Sequence, residues 1–268
     1  MSVSASHRHG VITGASGRLG AALARRLGAA GLRLSLIARD RERLAAVAAD
    51  CAGRGAETGV FVCDVTDAEG MERCIASCDA IAPIDLVIAN AGIGGATCWA
   101  GNEAETSAAA RRIIETNLIG VINTIAPLVP RMAERQRGNI VIVSSIVGLL
   151  GLAQSPSYCA SKAALRTYAE SLRRFMASSG VTVSIVLPGF VDTPMSATLP
   201  FSKPLMWSAE RAAATIARGL QSGETQIQFP WPLVALARFL SALPSAASDR
   251  LVHALRPKEE TARHRVGS

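Results

Sequence analysis

A chain of 268 residues that is 49% hydrophobic and 18% charged can bury a sizeable core, and its charged fraction sits below the ~25% of an average globular protein, which excludes disorder for most of its length. Its net charge of +7 comes from arginines scattered along helical stretches, and with only 4% aromatic residues it has no stacking platform for a nucleic-acid strand. The four histidines stand at 7, 9, 253 and 264, so a Ser-His-Asp hydrolase or a His-ligated metal site in the middle of the chain is excluded, and no metal is expected.

The first apolar run starts at Val11 and ends in Thr13-Gly14-Ala15-Ser16-Gly17-Arg18-Leu19-Gly20, after which an Ala/Leu/Arg helical pattern continues to about Ala30. Strand, glycine-rich turn and helix in that order suit a pyrophosphate: glycines allow close backbone approach and the helix start offers free N–H groups. A second strand, Arg33 to Ala38, ends at Arg39, where the adenosine ribose of a dinucleotide would lie. An acidic residue there pairs with the 2′-hydroxyl of NAD, whereas an arginine suits the 2′-phosphate of NADP. Arg39, with Arg18 as a second cation, favours NADP(H); Asp40 keeps NAD(H) possible, although it also serves as an ordinary helix N-cap.

A helix over Arg41 to Ala52 leads to a third strand, Gly59 to Cys63, ending at Asp64-Val65. Another helix, Ala68 to Ile81, precedes a fourth strand, Ile84 to Ile88, closed by Asn90-Ala91-Gly92. These near-continuous apolar strands alternating with helices predict a doubly wound parallel sheet of about seven strands, with helices on both faces. No linker-like stretch divides the chain, so one domain over residues 1–256 is expected, followed by a solvated tail at 257–268.

A long helical stretch, Ala104 to about Glu134, holds Asn117 in an apolar setting, and Pro127 and Pro130 should kink or divide it. Strand five, Asn139 to Val143, ends in Ser144-Ser145; a loop over Ile146 to Pro156 follows. The next helix, to about Ser178, carries Tyr158 and Lys162, a phenol and an ammonium one turn apart on one face. A nearby cation favours a phenolate, so the pair suits general acid/base chemistry near neutral pH. The chain has only three lysines, Lys162, Lys203 and Lys258, and otherwise writes arginine, so a compact ammonium is wanted at 162. Strand six, Val181 to Leu187, ends in Pro188-Gly189-Phe190-Val191-Asp192-Thr193. All these groups fall at the carboxyl ends of strands, where open α/β sheets bind ligands.

Thr13-Gly14…Gly20, Asn90-Ala91-Gly92, Asn117, Ser145 thirteen residues before Tyr158, Tyr158-x-x-x-Lys162 and Pro188-Gly189-x-Val191-x-Thr193 together resemble the compact, single-domain branch of the short-chain dehydrogenase/reductase family, from about Val11 to Gly223. The resemblance implies a Rossmann-type fold and an alcohol/ketone oxidoreductase using a nicotinamide cofactor. It implies that Tyr158 is the general acid/base, that Ser145 positions the carbonyl oxygen, and that Lys162 lowers the Tyr158 pKa and holds the nicotinamide ribose. Asn117 would support a water-linked proton relay to Lys162. Cofactor contacts would come from Gly14, Ser16, Gly17, Arg18, Leu19, Gly20, Arg39, Asp64, Val65, Asn90, Ala91, Gly92, Pro188, Gly189, Val191 and Thr193, along with Tyr158 and Lys162. The family also implies a homodimer or homotetramer, built partly on the helices around Asn117 and Tyr158.

One position departs from the family pattern. Arg18 occupies the middle glycine of Thr-Gly-x-x-x-Gly-x-Gly, and the spacing Gly14, Gly17, Gly20 matches longer nucleotide-sugar-modifying relatives. The alternatives are therefore such a relative, or a non-catalytic NADP-binding regulatory protein. Beyond the motifs, the segment 195–207 takes the substrate-lid position, and its apolar content with Phe190 suggests a small to medium lipophilic, uncharged substrate. A helix from Ala209 and a seventh strand, Thr225 to Phe229, complete the sheet. Residues 230–256 form a helical extension, open to three uses: an interfacial helix on a membrane, a subunit contact, or packing on its own domain. The six cysteines show no Cys-x-x-Cys pair, and Met1–Gly10 reads as no secretory leader, so reduced thiols in the cytoplasm are expected.

Overall fold

The structure is a computed structural model that describes residues 8–28, 32–94, 105–197, 199 and 202–254. Seven strands, β1 (His9–Thr13), β2 (Arg33–Ala38), β3 (Glu57–Val62), β4 (Leu86–Ala89), β5 (Gly138–Val143), β6 (Val181–Pro188) and β7 (Gln226–Phe229), form one sheet in the order β3-β2-β1-β4-β5-β6-β7. Every neighbouring pair is parallel. The order reverses between β1 and β4, and the crevice outside their carboxyl ends is where such sheets bind ligands.

The apolar strands are explained by burial on both faces. One face packs against α1 (Arg18–Leu27), α2 (Arg41–Ala52) and α9 (Ala209–Gln221), through Leu23, Leu27, Leu44 and Ile216. The other packs against α3 (Ala68–Ile81) and the later helices, through Met71, Ile75, Ile125, Met132 and Leu165. Alternate residues of one strand feed both cores: Ile12 belongs to the first and Val11 to the second.

The predicted helix over 104–134 is divided. Its first residue lies outside the described residues; α4 (Ser107–Ile114) runs into a π-helical turn (Glu115–Ile119), then α5 (Gly120–Ile125) and, after a turn, α6 (Val129–Glu134). Pro127 falls in that turn, and Pro130 sits in the first turn of α6, where no backbone donor is needed. The run Ser107–Glu134 has the length and hydropathy of a bilayer span, but Ile113, Val121, Ile125, Leu128 and Met132 are buried within the fold.

Strand four starts at Leu86 rather than Ile84, although the Asp85 N–H already donates to the His9 carbonyl and its carbonyl accepts the Asn139 N–H. The Ile84 N–H donates to Asp79, and Asp85 accepts the N–H groups of Arg8 and His9. Asp79, buried at the end of α3, also accepts from Arg131 and Arg135 of the α6 region at 3.0 and 2.5 Å, and Arg137 pairs with Asp85 at 2.5 Å. These arginines are therefore not simply solvated faces. They tie helices to the end of the sheet opposite the crevice.

The helix carrying Tyr158 is α7 (Pro156–Phe175), shorter than expected, and the loop before it contains a 3-10 turn at Ile146–Gly148. A one-turn helix, α8 (Pro194–Ala197), follows β6. The C-terminal extension folds as α10 (Trp231–Ala242) and α11 (Ser245–Ala254), the second of which the sequence reading did not separate. Val234, Ala237 and Leu240 of α10 are buried, so it packs on its own chain, while Trp231, Leu236 and Phe239 face outward. The expected tail, 257–268, lies outside the described residues, as do Thr198, Pro200 and Phe201 of the expected lid.

Candidate active site

A cavity of about 1110 Å³ opens at the carboxyl ends of β1, β2, β4, β5 and β6. Of the expected site residues, Gly14, Ser16, Gly17, Arg18, Leu19, Gly20, Arg39, Asp64, Val65, Asn90, Ala91, Gly92, Ser145, Tyr158, Lys162, Pro188, Gly189, Val191 and Thr193 all line it. Asn117 is fully buried just behind the wall.

The glycine-rich turn is shaped by close backbone packing. Gly14 has φ +65°, and a Cβ there would lie 2.8 Å from Ala91 Cα; a Cβ on Gly20 would lie 2.3 Å from the Gly14 carbonyl. The Thr13 hydroxyl accepts the N–H groups of Asn90 and Ala91, and the Asn90 amide donates to the Thr13 carbonyl, which locks this turn to the Asn-Ala-Gly turn. Helix α1 has neither a side-chain cap nor an acidic residue in its first turn. Its N-terminus therefore suits an anion, and a dinucleotide's diphosphate fits the open cradle of glycines above it.

Arg18 turns away from that cradle. Its guanidinium pairs with Asp192, in the segment after β6, at 2.6 Å. At the end of β2, Arg39 stands 3.5 Å from Asp64, which also accepts from the Thr66 N–H and hydroxyl. Against the upward push of partial burial, those Thr66 bonds and Arg39 hold the Asp64 carboxyl below its usual range. Arg43, one turn into α2, lines the same end of the cavity. The sequence reading missed it, although Arg39 and Arg43 stand four apart where strand passes into helix.

At the other end, Tyr158 and Ser145 both line the cavity, and the Ser145 hydroxyl donates to the Pro188 carbonyl at 3.3 Å and accepts the Val147 N–H. Lys162 is buried; its Nζ lies 5.7 Å from the Tyr158 ring centre and donates to the Val143 carbonyl at 3.1 Å. The expectation that Lys162 lowers the Tyr158 pKa is not met in this geometry. Burial pushes the phenol up to about 12, with Ser145 pulling the other way, and burial pulls the Lys162 ammonium down to about 8. In both groups the largest cause is desolvation of the charged form.

Asn117 owes its position to the π-helical turn. Its side-chain oxygen accepts the Ile93 N–H at 2.7 Å, and its amide donates to the Ile93 carbonyl at 2.8 Å and to Ser161 at 3.2 Å. It thus clamps the segment after β4 against α7. A Cβ on Gly92 would meet Asn117 Oδ1 at 3.2 Å and Lys162 Nζ at 3.6 Å, so both side chains border the same glycine. Thr193 and Ser196 cap each other across α8, with the Thr193 hydroxyl accepting the Ser196 N–H. Trp207 closes the lid segment: its N–H donates to the Phe190 carbonyl, and its ring stacks on Phe229 at 4.7 Å.

Residues 8–202 match the profile of the short chain dehydrogenase family. An uncharacterised oxidoreductase of Myxococcus xanthus is 36% identical over 94% of this chain and 98% of its own length. A putative ketoacyl reductase of Streptomyces coelicolor is 34% identical over 70% of this chain and 72% of its own. Among solved structures, a variant of actinorhodin polyketide ketoreductase with NADPH superposes with TM-score 0.77 at 26% identity, covering 87% of this chain and 99% of that one. A short-chain dehydrogenase from Sphingobium yanoikuyae in complex with NADPH gives the same score and identity over 96% and 99%. With a family profile over most of its length and relatives at this identity, the chain belongs to the short-chain dehydrogenase/reductase family of oxidoreductases.

Proposed function

We propose that this oxidoreductase interconverts a ketone and an alcohol with NADP(H), with Tyr158 as the proton donor and acceptor. The observation that carries the reading is one cavity with two chemically distinct ends: Tyr158 and Ser145 with buried Lys162 beside them, and the cations Arg39 and Arg43 at the far end. The NADPH in the two solved relatives and the ketoacyl reductases among the sequence relatives support both halves of it.

A nicotinamide cofactor supplies the hydride when bound, and the protein supplies the rest. Gly14, Ser16, Gly17, Leu19 and Gly20 border the diphosphate and leave the α1 N-terminus open to it; Asn90, Ala91 and Gly92 border the ribose; Asp64 and Val65 the adenine; Pro188, Gly189, Val191 and Thr193 the nicotinamide. Arg39 and Arg43 are the cations for a 2′-phosphate. Ser145 donates a hydrogen bond to the substrate oxygen and holds it against Tyr158. A phenol with a pKa of about 12 is protonated at neutral pH and so ready to donate as the carbonyl is reduced. Lys162 would hold the ribose hydroxyls, and Asn117, bordering the same glycine, would support a water-linked relay that returns a proton to Tyr158 by way of Lys162.

The stretches that flank Tyr158 bring Ile93, Gly94, Val147, Leu152, Phe190, Met195 and Leu199 to the lining, with the uncharged polar Gln154, Ser155 and Ser196, whereas the charged lining residues other than Lys162 come from the glycine turn, α1, the start of α2, and the ends of β2 and β3. That division supports an uncharged, lipophilic substrate under a lid at 195–207. The deciding experiment is fluorescence titration with NADPH and NADH of wild type, Arg39→Ala and Tyr158→Phe, followed by turnover of uncharged ketones. NADPH should bind more tightly than NADH, Arg39→Ala should erase the difference, and Tyr158→Phe should bind NADPH normally but turn nothing over. Equal or tighter binding of NADH by wild type would overturn the assignment of Arg39.

A further inference from the structure

We propose that Glu105 is a positioning residue for Tyr158: its carboxylate, reaching from the segment before α4, caps the helix on which the proton donor stands. The proposal rests on the reading of Tyr158 given above. Tyr158 lies in the first turn of α7, the part of a helix with the fewest internal hydrogen bonds. Pro156 opens that helix and has no N–H, and Ser155, at the N-cap, makes no side-chain capping bond to it. Helices α2, α3, α4 and α9 are capped by their own preceding Asp40, Asp67, Thr106 and Ser208, each three residues from the N–H it accepts.

At α7 that role passes to a residue 52 positions away. Glu105 Oε2 accepts the Ser157 N–H at 3.1 Å, and the Ser157 hydroxyl donates to the same oxygen. Ser157 is buried and immediately precedes Tyr158. A carboxylate there both satisfies a helix-terminal donor and complements the positive end of the helix. From the other side, Ser161 donates to the Tyr158 carbonyl and accepts from Asn117. The backbone of the proton donor is thus gripped at two points, by Glu105 through Ser157 and by Asn117 through Ser161. Because Thr106 caps α4, the adjoining Glu105 ties the start of α4 to the start of α7. A shift of well under 1 Å at this turn would spoil the Tyr158–Ser145 geometry without touching the cofactor end.

The test measures NADPH reduction of an uncharged ketone, NADPH affinity and backbone amide exchange in Glu105→Ala, Glu105→Gln and Ser157→Ala. In Glu105→Ala, kcat should fall about 10-fold, because misaligned reacting groups lose rate, with NADPH affinity unchanged and faster exchange in the first turn of α7. Glu105→Gln keeps an accepting oxygen and should restore most of the rate. Ser157→Ala should lower kcat in the wild-type background and add nothing to Glu105→Ala. Wild-type kcat and exchange in Glu105→Ala would overturn the proposal. So would equal losses in the Ala and Gln variants, or a loss of NADPH affinity as large as the loss of kcat. If wild type turns over no ketone, the Tyr158 reading falls instead, and exchange in α7 alone decides whether Glu105 caps it.

Discussion

Tyr158 and Lys162 show how burial and charge compete at a single site. Four residues apart on a helix, they look from the sequence like a phenol with a cation beside it, yet burial keeps the phenol protonated and weakens the ammonium. The consequence for stability has a definite sign. A lysine whose folded pKa is about 8 against 10.5 unfolded binds fewer protons in the folded state between those values, so stability rises with pH across that window. A tyrosine raised from 10 to about 12 does the reverse, and stability falls with pH over that range. Cofactor-free protein should therefore gain melting temperature from pH 7.5 to 9.5 more steeply than Lys162→Met. Parallel melting curves for the two proteins would show that Lys162 does not titrate as the fold implies.

At the scale of elements, the anchoring of α3 to α6 at the far end of the sheet depends on Asp79. Against the upward push of its burial, bonds from Arg135, the Ile84 N–H and Arg131 bring its pKa to about 2. Its stabilising contribution is complete above the unfolded value of 3.8 and is lost as pH falls through about 2. Asp79→Ala leaves Arg131 and Arg135 facing each other without their shared anion, and should cost about 3 kcal/mol, the scale for breaking a buried pair from one side. Urea denaturation measures it, and NADPH binding should survive, since the cluster lies at the opposite end of the strands. Loss of less than about 1 kcal/mol, the value of an exposed pair, would mean the cluster is solvated.

The order of elements and the strand ends were legible in the sequence because a buried parallel strand writes itself as an apolar run that stops at a turn. The π-helical turn around Asn117 was not, and it goes with a tertiary contact that no local pattern encodes: the Asn117 amide satisfies both backbone groups of Ile93. The direction of Arg18 was equally hidden, since Asp192 is 174 residues away. Glu105 carried no local signal either; only the fold brings it to Ser157. Motifs repeat chemistry that must sit at strand ends, whereas long-range side-chain bonds leave no periodicity to read.

For the whole molecule, the family and the outward apolar side chains lead us to propose a homodimer or homotetramer. Ile119, Phe175, Trp231, Leu236 and Phe239 are each at least 40% exposed, on the helices around Asn117 and Tyr158 and on α10. Sedimentation at micromolar concentration should give two or four times 27.9 kDa, and a monomer would remove the proposal. Masses of Phe175→Glu and Phe239→Glu variants would show whether α7 or α10 holds the contact.

The ion pair between Arg18 and Asp192 joins the start of α1 to the segment after β6. The guanidinium that stands where the family writes glycine already has a carboxylate for company, and that carboxylate belongs to the segment leading into Thr193. Asp192 engages only Nη1 of a guanidinium that has five N–H donors, so the pair leaves the other donors of Arg18 open. The segment after β6 is also held without it, by the Asp192 N–H on the Trp207 carbonyl and the Trp207 N–H on the Phe190 carbonyl. Two stretches of chain 174 residues apart thus carry a direct charge link between them, one that salt will screen because both partners face solvent.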